Sequence, residues 1–204
     1  MQRAGHGVWR LDDIFIARFT AAGDHVWSKG FGDAGNQNVR DVAIDGTGAV
    51  VVTGYFESTV DLGGGVLTSG GTNDILLGKF RVAGAHVWSK SFGDNMDPIG
   101  YGIAVDGVGN IVMTGRLIGS ADFGGGPIVS GGANDAYLVR LDPAGGHLSS
   151  QRFGDALDQY GRAVAVDSSG KVLMTGRFHG AIDFGAGALT SAGGSDVFLA
   201  RFAP

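Results

Sequence analysis

A segment that starts at Asp13-Ile14 starts again at Asp74-Ile75, Asp135-Ala136 and Asp196-Val197, a spacing of 61 residues without slip. Other landmarks keep the interval: His25, His86 and His147; Phe31-Gly32-Asp33, Phe92-Gly93-Asp94 and Phe153-Gly154-Asp155; Thr53-Gly54, Thr114-Gly115 and Thr175-Gly176; Asp61, Asp122 and Asp183. Residues 13–73 and 74–134 agree at 28 of 61 positions. A fixed period of this length signals one supersecondary unit repeated along the chain, each copy burying its apolar face on its neighbours. The 204 residues divide into a leader, 1–12, and a repeat domain, 13–204, with copies at 13–73, 74–134 and 135–195 and a partial copy at 196–204.

Within one unit, four short apolar runs stand between turn residues: Ile14–Phe19, His25–Phe31, Val42–Asp45 and Ala49–Phe56. Ala22-Gly23-Asp24 joins the first two and Asp45-Gly46-Thr47-Gly48 the last two, so each pair reads as a hairpin. Acidic residues agree with a turn-rich chain. Of 20, only Glu57 is glutamate, and aspartate favours turns and caps where glutamate favours helix interiors. The 39 glycines come with 4 prolines and no recurring Gly-X-Y period, which excludes collagen. Ile14-Phe15-Ile16 and Val50-Val51-Val52 are apolar on both faces, whereas a strand with one wet face alternates strictly. These strands need cover on both sides.

Small antiparallel sheets sandwiched between like neighbours are the blades of a β-propeller. The expected fold is all-β, a propeller built from 61-residue four-stranded repeats. The surplus over an ordinary blade lies in Glu57–Asn73, a long ordered connection or an extra small hairpin. A β-trefoil-like three-fold repeat is the alternative, against which the unit length and the two-sided strands count.

The pattern Asp-x-Phe-x-x-x-Phe, Gly-x-His-Val-Trp-Ser-Lys, Phe-Gly-Asp, Ala-x-Asp-x-x-Gly-x-x-x-x-Thr-Gly, Asp-Phe-Gly-Gly-Gly and Ser-Gly-Gly resembles the bacterial β-propeller repeat called the SBBP repeat, over residues 13–202. Phe-Gly-Asp stands where that family more often has Phe-Gly-Gly, and the third copy reads His147-Leu148-Ser149-Ser150, without the tryptophan. The resemblance implies an exported or surface-displayed module, extracellular or at the cell surface. Residues 1–12 lack the apolar stretch of a signal peptide.

By analogy with other propellers, Val42–Asp45 and its copies are the innermost strands and His25–Phe31 and its copies the outermost. The chain then holds two complete blades, roughly 40–92 and 101–153, an outer half-blade at 13–31 and three strands at 162–202. Closure takes about four to eight blades, so the chain is a partial ring. Two chains joining through their ends, as a homodimer of six to eight blades, is the expected partner arrangement. In that ring Asp196–Phe202 competes with Asp13–Phe19 for one slot. A fragment or experimental repeat without function of its own is the other reading.

Function in repeat proteins gathers where copies differ on a fixed framework. The loops before the inner strands, 34–40, 95–101 and 156–162, differ strongly. Asn38, Arg40, Asp97, Tyr101, Asp158, Tyr160 and Arg162 are the candidate binding rim, whose mixture suits a glycan or an extended peptide. Asp33/Asn36, Asp94/Asp97 and Asp155/Asp158 offer part of a calcium shell, but calcium takes six to eight oxygens and Asx-turns explain the pairs. One histidine per repeat builds no zinc site, for which three or four convergent ligands are needed. Trp27 and Trp88 read as packing residues. Neither metal nor cofactor is expected.

No Gly-x-Ser-x-Gly, His-Glu-x-x-His, Walker or dinucleotide motif occurs, and nothing in the spacing joins Ser, His and Asp into a triad. The expectation is a non-catalytic binding or scaffolding module, with a polysaccharide hydrolase or lyase as the alternative. A net charge of −5 without a Lys/Arg run argues against nucleic acid. No apolar stretch approaches a membrane span, and the absence of cysteine leaves the redox compartment open.

Overall fold

The computed structural model describes residues 12–204; the leader up to residue 11 lies outside the described residues. Those described form an all-β structure without helix. Strands β1 (Ile14–Phe19) and β2 (His25–Phe31) make a two-stranded antiparallel sheet. Strands β3 (Gln37–Ile44) and β4 (Val50–Phe56) are followed by a small hairpin of β5 (Thr59–Asp61) and β6 (Val66–Thr68), then by β7 (Asp74–Phe80) and β8 (His86–Phe92). The order in this first four-stranded sheet is β3-β4-β7-β8. The second four-stranded sheet uses β9 (Ile99–Val105) and β10 (Ile111–Leu117), the hairpin β11 (Ser120–Asp122) and β12 (Pro127–Val129), then β13 (Asp135–Leu141) and β14 (His147–Phe153), in the order β9-β10-β13-β14. The last sheet has three strands, β15 (Gln159–Val166), β16 (Val172–Phe178) and β19 (Asp196–Phe202), with the hairpin β17 (Ala181–Asp183) and β18 (Ala188–Thr190) between the latter two.

The apolar triplets have two faces because the sheets stack. Val50 and Val52 join Ile14, Ile16, Leu76 and Phe80 in a core on one side of the first sheet, while Val51, Ile75 and Leu77 meet Ile111, Met113 and Tyr137 on the other. The second sheet repeats the arrangement, turning Val112, Ala136 and Leu138 toward Val172, Met174 and Phe198. Successive side chains on a strand point to opposite faces, so each central strand seals two interfaces. Strands β3, β9 and β15 lie side by side across the stack, and the Ile103 amide donates to Asp41 Oδ2 at 2.9 Å between two of them.

Each landmark has a local task. The Thr-Gly pair sits at a β-bulge, where the register between the first two strands of each sheet shifts. The threonine hydroxyl donates to the third strand, Thr53 to Leu76 O at 3.1 Å, Thr114 to Tyr137 O at 2.6 Å and Thr175 to Phe198 O at 2.8 Å. The glycine lies against the carbonyl oxygen of Asn38, Ile99 or Tyr160, with no room for a Cβ. The buried carboxylates of Asp74 and Asp135 accept from the amides of Gly70 and Gly131 and so pin the loop that enters their strands.

Sheets are also pinned to one another by polar contacts. Trp27 Nε1, on β2, donates to Val82 O at 3.0 Å and Trp88 Nε1, on β8, to Pro143 O at 3.3 Å, each reaching from an edge strand to a turn of the next sheet. A cation one strand inward does likewise, with Arg18 on Val82 O, Lys79 on Pro143 O and Arg140 on Ala203 O. The tryptophans therefore pack between sheets, and in the third copy, at Ser149, Arg140 keeps the contact.

Many turns hang on aspartate. Asp45 Oδ1 takes the Thr47 amide at 2.9 Å, the Thr47 hydroxyl at 2.6 Å and the Ala49 amide at 3.0 Å, and Lys79 Nζ stands 3.0 Å from Oδ2. Burial pushes this carboxyl up, but the Thr47 hydroxyl, Lys79 and the two amides outweigh it and hold it far below the usual carboxylate range. The stability Asp45 supplies is thus present above the unfolded value of about 3.9 and lost as pH falls through the lower folded value. Asp74 and Asp135 are raised by burial, so their contribution has the opposite sign, present in acid and lost as pH rises through the folded value. Asp45→Asn is expected to cost about 1–3 kcal/mol at pH 7. In urea titrations the gap to the parent should narrow at pH 3; a gap that stays constant or widens contradicts this assignment.

Among the described residues, the two outer faces of the stack are apolar and exposed. Phe15 is 79% exposed, and at the other end Val197 and Leu199 are 82% and 71% exposed. Among the described residues, the outer edge of β19 and the edge of β1 opposite β2 pair with no strand.

Candidate binding rim

The loops before β3, β9 and β15 are fixed by a repeated clamp. Asn134 Nδ2 donates to Asp158 Oδ1 at 2.7 Å and to Tyr160 Oη at 3.1 Å, and Asn73 Nδ2 donates to Asp97 Oδ1. In the first copy the acid and amide change places: the Asp12 amide donates to Asn36 Oδ1 at 3.2 Å, and Asn36 Nδ2 donates to Glu57 Oε2 at 2.8 Å. The Asn134 amide group is the main reason that the Asp158 carboxyl lies below its ordinary range. Asp97 also pairs with Arg116. Both aspartates of the expected rim therefore hold the loops in place.

The remaining rim residues fall into two groups. Tyr101, Tyr160 and Arg162 come together: the Arg162 guanidinium stands over the Tyr101 ring of the neighbouring sheet at 4.4 Å and over Tyr160 of its own strand at 5.0 Å. Arg40 lies on the first sheet over the Tyr55 ring at 5.3 Å, and Asn38 faces Tyr55 across the β3–β4 register. Tyr160 is buried, Asn38 and Tyr101 are half-buried, and Arg40 and Arg162 are exposed.

Three participants escape a comparison of the loops. Tyr55, Arg116 and Arg177 follow Thr53-Gly54, Thr114-Gly115 and Thr175-Gly176 on the second strand of each sheet. The bulge sets Arg177 opposite Tyr160, and its guanidinium stands 4.4 Å from that ring. The usable signal is that the residue after each Thr-Gly varies as Tyr, Arg, Arg while the motif stays fixed.

The oxygens considered for calcium are occupied by donors of the chain. Asp33 Oδ1 accepts from the Gly35 amide at 2.9 Å and Gln37 Nε2 at 2.6 Å, and Asp94 accepts from the Met96 and Ser120 amides. Asp155 takes the Leu157 and Ala181 amides, each at 2.8 Å, and these amides hold its carboxyl below the usual range. These are the Asx-turns that the spacing suggests. His86 and His147 meet Ser89 and Ser150 hydroxyls at 3.2 and 3.1 Å, their rings covering Gly64 and Gly125 of the small hairpins.

A cavity of about 670 Å³ opens at the opposite ends of the strands, between the turns at 45–49, 81–82, 107–109 and 143. Its one ion pair, Lys79 with Asp45, satisfies itself.

No family model matches the chain, and no curated protein does. Among solved structures, a protein of unknown function from Bacteroides caccae is similar with a TM-score of 0.47 and 10% identity, covering 90% of this chain. The chain spans 60% of that structure's length.

Proposed function

We propose that the chain is a non-catalytic β-propeller module of the SBBP-repeat kind, displayed outside the cell, which binds a glycan or an extended peptide at the rim and completes its ring with a second copy. The observation that carries the binding reading is Arg162 standing over both Tyr101 and Tyr160. Side chains from the variable position of two copies meet across neighbouring sheets, making one surface that neither unit has alone. The stacking of separate small sheets, each with its first strand beside the next sheet's first strand, supports blades around an axis over a trefoil. Exposed apolar faces at both ends and strand edges that are unpaired among the described residues support self-association.

Glycan and peptide arrays, run beside a polysaccharide-hydrolysis panel, test the binding reading. Retention without turnover is expected. Steady product release that Asp97→Ala or Asp158→Ala abolishes, with the fold intact by circular dichroism, contradicts a non-catalytic module.

A further inference from the structure

Three guanidinium groups at the rim, those of Arg40, Arg162 and Arg177, are exposed. Among the described residues none has a carboxylate within ion-pair distance, since the ion pairs there are Lys79 with Asp45, Arg116 with Asp97 and Arg152 with Asp135. What holds the three is aromatic: Tyr55 for Arg40, Tyr101 and Tyr160 for Arg162, and Tyr160 again for Arg177. A guanidinium has five N–H donors in one plane. Cation–π attraction fixes the group over a ring without using them, and among the described residues these three donate to no acceptor of the protein.

Neighbouring carboxylates are committed elsewhere. Asp97 serves Arg116 and Asn73, Asp158 serves Asn134, and Asp41 takes the amides of Val42 and Ile103. Two cations share the Tyr160 ring with no ion-pair partner among the described residues, the Asp158 carboxylate lying at the hydroxyl end of that ring and already holding Asn134. Like charges held together are relieved by an anion, and a planar fork matches a carboxylate or sulfate in two parallel hydrogen bonds.

Resting on the reading of the rim as a binding face, we infer that its ligand is an anionic glycan, whose carboxylate or sulfate groups meet Arg162 and Arg177. Cationic or aromatic residues recur at one position per sheet, Arg40, Tyr101 and Arg162, and at the position after each Thr-Gly. Among the described residues, the free guanidiniums fall on the first and last of these three sheets, since Arg116 between them is paired with Asp97, and a polymer with an acid on every sugar can meet both.

The test is calorimetric titration with oligogalacturonate and its methyl ester, dextran sulfate and dextran, and polyglutamate. The acidic glycans should bind and the neutral ones should not, in a salt-sensitive way, and the carboxylated and sulfated arms identify the preferred group. Arg162→Gln and Arg177→Gln should each weaken binding by about tenfold or more. Arg162→Lys, which keeps charge but loses the fork, should fall between, and Arg81→Gln at the far end of the sheets should change nothing. Equal binding of the methyl ester, stronger binding of polyglutamate, or indifference to the arginine variants overturns the inference while leaving a binding rim. Failure of every glycan and peptide to bind overturns both.

Discussion

Gly115→Ala should destabilise the fold by about 3 kcal/mol or more, whereas Gly107→Ala, eight residues away, should be neutral or stabilise by about 0.4–1 kcal/mol. At Gly115 a Cβ would overlap the carbonyl oxygen of Ile99 and come within 2.7 Å of the Tyr137 hydroxyl. The oxygen belongs to the backbone of the paired strand at the bulge, so it yields only if the β9–β10 pairing opens. That opening would disturb the Thr114 hydrogen bond and the position of Arg116. Around Gly107 there is open space, and the equivalent position of the third copy is Ser168. Urea denaturation of the two variants decides the point. Similar costs would mean that the glycine after threonine has no steric task.

Tyr137→Ala should cost about 3–5 kcal/mol and Tyr137→Phe less than about 1.5 kcal/mol. The ring is fully buried between the two four-stranded sheets and packs on Phe123, which in turn meets Phe92, with centroids 5.4 and 4.7 Å apart. Truncation leaves a cavity that a layer pinned on both faces cannot collapse to fill. The hydroxyl matters little, since its one partner among the described residues is Ile99 O at 3.5 Å, at the limit of a hydrogen bond. Burial pushes its ionisation far up, so it stays neutral. The equivalent positions hold Leu76 and Phe198, which shows that the site needs volume and no polar group. Thermal melts of both variants check this; a large loss in the phenylalanine variant would show instead that the hydroxyl anchors the bulge.

The all-β class and the bounds of β1 and β2 are legible in the sequence because their apolar runs end at Gly-containing turns. Strand β3 is longer than its apolar run, reaching back to Gln37, and ends at Ile44. Gln37 is polar yet fully buried, its amide group donating to Asp33 and to the Thr59 carbonyl, an environment that hydropathy does not signal. Asp45 drops out of the strand because its carboxylate caps the turn. The connection 57–73 does hold a small hairpin, whose three-residue strands are too short for periodicity to separate from a loop.

Of the candidate rim, the loop residues are legible in the sequence and their neighbours in space are not. Tyr101, Tyr160 and Arg162 meet as residues of matching loops should. Arg177 and Tyr55 enter through cross-strand register, and a bulge sets that register by an amount no single strand reveals. Asp97 and Asp158 vary in their surroundings, yet their work is to clamp a loop, visible only once Asn73 and Asn134 are placed beside them.

Light scattering on a sizing column, over a range of concentrations, tests most directly whether these stacked sheets are part of a ring. A mass near twice 20.8 kDa, reduced to that of one chain by Phe15→Asp or Val197→Asp with the fold intact, is the expected result. A parent chain that stays at 20.8 kDa at every concentration would contradict ring completion by a second copy.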